Sequence, residues 1–199
     1  MTMDTTRQTD ENAANGALMR RATYASVAVA LTLIVAKLYA WTLTDSVSML
    51  STLVDSLLDG VASVITLIAV RHALTPADLE HRFGHGKAEA LAAMTQSAFV
   101  AGSAAVVLFQ AIERLLHPKP MAHTEIGVAI MVFSIALTLC LVIFQAYVVK
   151  RSGSVAITAD SLHYQGDLLI NLAVIAAFLI HSVLSWQMID PLIGGAIAG

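Results

Sequence analysis

Charge is scarce in this sequence. Of its 199 residues 13% are Asp, Glu, Lys or Arg, where a soluble domain carries about 25%. The apolar share is 57%, against about 45–50% in soluble domains. Mean hydropathy is +0.76. A soluble globular domain is excluded, and a polytopic membrane protein is indicated. Cysteine is nearly absent: Cys140 stands alone, so no internal disulfide can form. Period-two alternation is missing from the apolar runs, which argues against strands. No His-Glu-x-x-His stretch occurs, so there is no metalloprotease motif. No secretory leader is evident, because the first 18 residues are polar and acidic and the first apolar run is long enough to span. The net charge of −3 says less than the placement of the charges, and no nucleic-acid partner is expected.

What is present is a series of long apolar runs. The expected fold class is all-α, a polytopic membrane protein with six transmembrane helices. Residues 1–18 read as a disordered cytoplasmic N-terminus and residues 19–199 as a transmembrane domain. Spans are expected at about 22–43, 47–70, 88–116, 124–149 and 154–184, each long enough for a core of about 30 Å. The sixth run, 189–199, reaches only about 16 Å as a helix. It reads as the start of a helix in a longer protein, or else as a terminal half-helix. Thr44, Asp45 and Ser46 predict a tight turn, and HPKPMAH a proline-broken one. Small residues crowd the third span (Ala92, Ala93, Ser97, Ala98, Ala101, Gly102) and allow close helix packing.

Orientation follows from the basic residues. Arg20, Arg21, Arg71, Arg82, Lys87, Lys150 and Arg151 collect on one side, and Lys119 lies on the other. The positive-inside rule puts the N-terminus and the 71–87 loop in the cytoplasm. Lys37 lies inside the first span and can snorkel. The second and fifth spans then run antiparallel.

Those two spans carry acids that are expensive to insert. Asp55 and Asp59 lie four residues apart in STLVDSLLDG, on one helix face. His163 and Asp167 repeat the spacing in ADSLHYQGD. Near the bilayer centre each carboxylate costs about 2.5–3.5 kcal/mol. Counting 1.5 Å per residue puts Asp55 about level with Asp167 and Asp59 about level with His163. Three carboxylates and an imidazole at one depth suit a tetrahedral divalent cation such as Zn²⁺. The imidazole favours Zn²⁺, Fe²⁺, Co²⁺ or Cd²⁺ over Ca²⁺, and Mg²⁺ prefers octahedral oxygen. When the metal leaves, protons can replace it. His163 is the natural carrier near neutral pH, and a desolvated carboxylate such as Asp167 can share the role. Metal and proton competing for one site is the chemistry of an antiporter, not of an enzyme. A lone carboxylate that caps a helix, lines a water cavity or pairs with a lysine is the blander alternative.

Other polar groups are less committed. Gln96, Gln145 and Asn171 read as interhelical hydrogen-bond formers. Asp160 reads as a guide for inbound cations or as a solvated helix end. The loop PADLEHRFGHGKAE holds Asp78, His81 and His85, whose spacing can close around one Zn²⁺. Gly84 and Gly86 let the loop fold tightly, and Glu80 could replace or supplement Asp78. A solvated loop with two histidines is the alternative there. His72, His117, His123 and His181 lie at span ends and read as interfacial rather than as ligands.

Taken together, SMLSTLVDSLLD, PADLEHRFGHGKAE and ADSLHYQGD resemble the cation diffusion facilitator family, in particular its bacterial YiiP-type zinc and iron efflux group. The resemblance covers about residues 22–199. It implies a homodimeric Zn²⁺/H⁺ antiporter of the bacterial inner membrane that exports metal from the cytoplasm. It implies a transport site of Asp55, Asp59, His163 and Asp167, matching the set reached from spacing and depth. It implies a loop site of Asp78, His81 and His85. Zn²⁺ and Cd²⁺ go with this ligand set, with Fe²⁺ in close relatives. By the same resemblance Lys87 belongs to salt bridges at the dimer interface and Leu162 to a hydrophobic gate. Family members usually complete the sixth helix and add a cytoplasmic ferredoxin-like domain with further metal sites. That domain is absent from this sequence, and the charge partners of Lys87 are expected in it. An intramembrane metallohydrolase, a non-transporting metal sensor or scaffold, and a passive channel are the competing readings.

Overall fold

The computed structural model describes residues 2–45, 47–79, 81–82, 84–116 and 125–187, with side chains described within 11–172. Its elements are α1 (Thr2–Thr44), α2 (Val47–Ala73), α3 (Lys87–Leu116), α4 (Glu125–Ser152) and α5 (Val155–Gln187). The apolar runs form helices because a helix satisfies its own backbone groups, which a bilayer requires. The sixth run and its expected helix lie outside the described residues, as do Glu80, His117, Lys119 and His123.

Helix ends are set by local chemistry. Asp45 adopts a left-handed φ of 47° and donates its N–H to the Trp41 carbonyl at 2.8 Å, closing α1. Gly153 (φ 65°) closes α4 in the same way on Val149 at 2.9 Å. α4 therefore runs through Lys150 and Arg151, and only Gly153 and Ser154 connect it to α5. The Ser154 hydroxyl accepts the Ile157 N–H at 3.3 Å as an N-cap. It also donates to Glu89 at 2.6 Å, tying the start of α5 to the start of α3.

α1 packs on α2 and α4, α3 on α2 and α5, and α4 on α5. The apolar core gathers at one end: Met19, Ala22, Val70, Ala92, Val148, Ala156 and Ile157. Those residues come from the middle of α1, the start of α3 and α5 and the end of α2 and α4. This is the end where the basic residues cluster. Outside, Leu31, Val35, Leu57, Ile68 and Ile143 are exposed, giving an apolar surface.

One expectation changes. Residues 1–18 were expected to be disordered, yet α1 begins at Thr2. Gly16 and Met19 are buried, and a Cβ on Gly16 would lie 3.3 Å from Leu74 at the end of α2. Docking on α2 thus extends the helix below the span. Among the described residues, three helical segments are apolar enough to cross a membrane: Glu11–Thr44, Met49–Ala73 and Ile126–Ser152. The described part of α5 is less apolar because it carries Asp160, His163 and Asp167.

Candidate metal centre

The level pair expected from depth is the closest contact in the site. His163 Nε2 lies 3.0 Å from Asp59 Oδ1 and 3.6 Å from Asp167 Oδ2. Ligand atoms of Asp59, His163 and Asp167 all lie within 4.8 Å of one another. The His163 side chain is 5% exposed, and those of Asp59 and Asp167 are 21% and 29%. Asp167 Oδ2 is buried without a hydrogen-bond partner among the described residues. An acceptor in that position calls for a cation or a proton. Asp55 stands outside this group, one turn along α2, with an exposed side chain. Leu162, next to His163, is 56% exposed.

Lys37 does not snorkel to a membrane surface. Its ammonium donates to Ser56 Oγ at 2.6 Å and to the Thr52 carbonyl at 3.2 Å. That holds a positive charge within electrostatic reach of Asp59, Asp55 and Asp167. The depth count already contained this: Lys37 lies as far before the end of α1 as Val54 lies after the start of α2.

Asp160 is neither a solvated helix end nor an exposed guide, since it is 1% exposed. Its Oδ2 accepts from Ser26 Oγ and Gln145 Nε2, each at 2.7 Å, and its Oδ1 from Gln96 Nε2 at 3.2 Å. All three contacts donate to it, so one carboxyl joins α1, α3, α4 and α5. Gln96 and Gln145 act as the interhelical bond formers expected of them. Asn171 instead bonds within its own helix, to the Asp167 carbonyl at 2.9 Å. One residue beyond His163, the Tyr164 hydroxyl bonds Ser63 at 2.8 Å and links α5 to α2. These anchors fix α5 on both sides of His163 and orient it toward Asp59. Ser26, Ser56 and Ser63 were not foreseen, since a serine in an apolar run carries no signal of its partner.

The loop folds as its spacing suggests. The His81 N–H donates to Asp78 Oδ1 at 2.5 Å, and His81 Nδ1 lies 3.2 Å from the same oxygen. His85 Nε2 lies 3.6 Å from Asp78 Oδ2. Ligand atoms of the three again lie within 4.8 Å of one another. Gly84 supplies a φ of 74°, while Gly86 needs no such freedom. The His81 backbone N–H holds the Asp78 carboxyl below the usual aspartate range. Lys87, the first residue of α3, is exposed.

The chain is 49% identical over 180 residues to a protein of Shewanella oneidensis named cation-efflux pump FieF, covering 90% of this chain and 60% of that one. It is 45% identical over 181 residues to the protein of the same name from Salmonella arizonae, covering 91% and 60%. The Klebsiella pneumoniae protein of that name is 44% identical over 181 residues, with 91% and 60% covered. The chain thus spans about 60% of the length of these curated relatives. Residues 23–199 match the cation efflux transmembrane domain, and the chain belongs to that family.

Proposed function

We propose that this chain is the membrane domain of a divalent metal cation/proton antiporter that exports Zn²⁺ from the cytoplasm, with Cd²⁺ and Fe²⁺ as competing cargo. The observation that carries the reading is the Asp59–His163–Asp167 cluster with its unpartnered Asp167 oxygen. Relatives at 44–49% identity, named as cation-efflux pumps, support it.

In this reading six helices span the bacterial inner membrane with the N-terminus cytoplasmic. The cargo ion enters between α2 and α5 and takes oxygens from Asp59 and Asp167 and a nitrogen from His163. Asp55 joins as fourth ligand when its side chain turns toward the cluster. Carboxylates and a neutral imidazole bind the ion, so binding displaces protons. On the outward side, protons return to His163 and Asp167 and release the ion. Leu162 acts as the gate beside His163. The protein works as a homodimer with Lys87 at its interface. Asp78, His81 and His85 hold a second ion in the loop.

The test is Zn²⁺ flux into proteoliposomes under an imposed pH gradient, wild type against Asp167→Ala. Gradient-driven flux that collapses in the variant is expected. Unchanged flux in the variant removes the site assignment. Flux indifferent to the gradient indicates a channel, and metal binding without flux a sensor or scaffold.

A further inference from the structure

The loop site is one ligand short. Zn²⁺ in a closed site takes four ligands in a tetrahedron, and Asp78, His81 and His85 supply three. The molecule around them offers a fourth. The His72 ring stands 4.4 Å from the His85 ring, centroid to centroid, at 67°. The His81 ring stands 4.6 Å from the His85 ring on its own account. With Zn–N bonds near 2 Å, two imidazoles on one tetrahedral ion have centroids about 5 Å apart. Both centroid spacings lie just below that value, and because the His72 nitrogens are not grouped within 4.8 Å of the other three ligands, binding would draw the His72 ring inward.

His85 itself suits a bound cation. Its side chain is 5% exposed, and its Nδ1 is buried without a hydrogen-bond partner. Among the described residues its Nε2 has only the Asp78 carboxylate, 3.6 Å away. A buried imidazole nitrogen without a partner is costly unless something else occupies it.

We propose that His72 is the fourth ligand of the loop site, giving a closed site of three imidazoles and one carboxylate for Zn²⁺ or a cation of similar softness. The inference rests on the reading of Asp78, His81 and His85 as a metal site. It changes what that site does. A closed tetrahedron keeps its ion, whereas an open position would let ligands exchange. His72 lies in the last turn of α2, and its carbonyl accepts the Thr75 N–H at 3.0 Å. The His85 carbonyl accepts the Ala88 N–H at 2.9 Å as α3 begins. An ion held by both residues staples the end of α2 to the start of α3. α2 is the helix that carries Asp55 and Asp59, so the staple holds half of the transport site in place.

The experiment uses the whole chain in detergent with Asp59→Ala and Asp167→Ala combined, so that the transport site is silent. Co²⁺ is titrated in and its visible absorption recorded, and Zn²⁺ affinity is measured against a chelator. The expected result is one bound ion with the strong absorption of four-coordinate Co²⁺. Adding His72→Ala lowers the absorption several-fold and weakens Zn²⁺ binding at least about 100-fold, no less than the loss of a supporting residue causes. His72→Asp, which restores a ligand, recovers the strong absorption and shows that the alanine variant did not simply misfold. If His72→Ala leaves affinity and spectrum unchanged while His81→Ala abolishes binding, the fourth-ligand inference is overturned and the loop site stands. If no ion binds even with His72, His81 and His85 intact, the loop-site reading itself is overturned.

Discussion

Replacing Asp160 by leucine tests how the bundle holds α5. The carboxyl accepts three hydrogen bonds, from Ser26, Gln145 and Gln96. Interhelical bonds between side chains in membranes average about 0.6 kcal/mol each. A buried donor left without a partner adds about 1–3 kcal/mol. The donors are not equally exposed to that penalty. Ser26 retains the Ala22 carbonyl at 3.1 Å, and Gln145 Nε2 retains Ser26 Oγ at 3.0 Å. Gln96 Nε2 has only Asp160 among the described residues. Some loss is recovered because leucine needs no desolvation of a carboxyl. Asp160→Leu should therefore destabilise by about 2–3 kcal/mol, most of it from the stranded Gln96 amide. Adding Gln96→Leu should return about 1 kcal/mol or more, because apolar replacement of both partners can be nearly neutral. The assay is SDS-titrated unfolding in mixed micelles followed by circular dichroism. A single variant within about 0.5 kcal/mol of wild type would refute the reasoning, as would a double variant no more stable than the single.

Three further outcomes are expected. Gly60 abuts α1, and an added Cβ would lie 3.1 Å from the Ile34 terminal methyl. Gly60→Ala should stay within about 1 kcal/mol of wild type, since that methyl can rotate away, while Gly60→Val should cost about 1–3 kcal/mol in the same unfolding assay. Lys37→Met removes a positive charge near the acidic cluster. At an effective dielectric near 20, a unit charge roughly 10 Å from a divalent ion is worth about 3 kcal/mol before screening, so half-saturating Zn²⁺ should fall at least about tenfold while maximal flux drops. Affinity unchanged by the substitution would show that Lys37 is only a tether. In the metal-free protein, Asp78 accepts from the His81 N–H best when ionised, and its pKa is lowered in the fold. The turn is thus fully supported above the ordinary aspartate value and loses that support as pH falls through the lowered one. The His81 amide proton shift should titrate with a midpoint below about 3.9, and a midpoint at or above that value counts against the turn.

Much of the site was legible from spacing and depth. Four-residue spacing set Asp59 and Asp167 on the right faces, and counting from the helix ends put Asp59 opposite His163. Depth alone does not give the separation between helices, so the count could not tell that Asp55 stands apart while Asp59 makes contact. Asp160 was misjudged for a related reason. A carboxylate one turn from a span end looks solvated until the donors on three other helices are in place, and they lie far away in sequence. Lys37 was read by its chemistry, as a side chain that reaches for water, although counting from the helix ends sets it about level with Asp55. The N-terminal segment looked disordered because its polar composition hid a docking surface. Gly16 makes sense against Leu74, just past the end of α2, and Met19 against the core cluster that Leu74 joins.

The central claim is that metal and protons exchange at one cluster of side chains. Counting protons released per Zn²⁺ bound tests it most directly. The measurement is calorimetry near neutral pH in buffers of different ionisation enthalpy, on a protein whose loop site is silenced by His81→Ala. The account predicts measurable release of protons per Zn²⁺, smaller or absent when His163→Ala is added. Tight Zn²⁺ binding at the Asp59–Asp167 cluster with no proton released at any pH between 6 and 8, where an ordinary imidazole titrates, would contradict it.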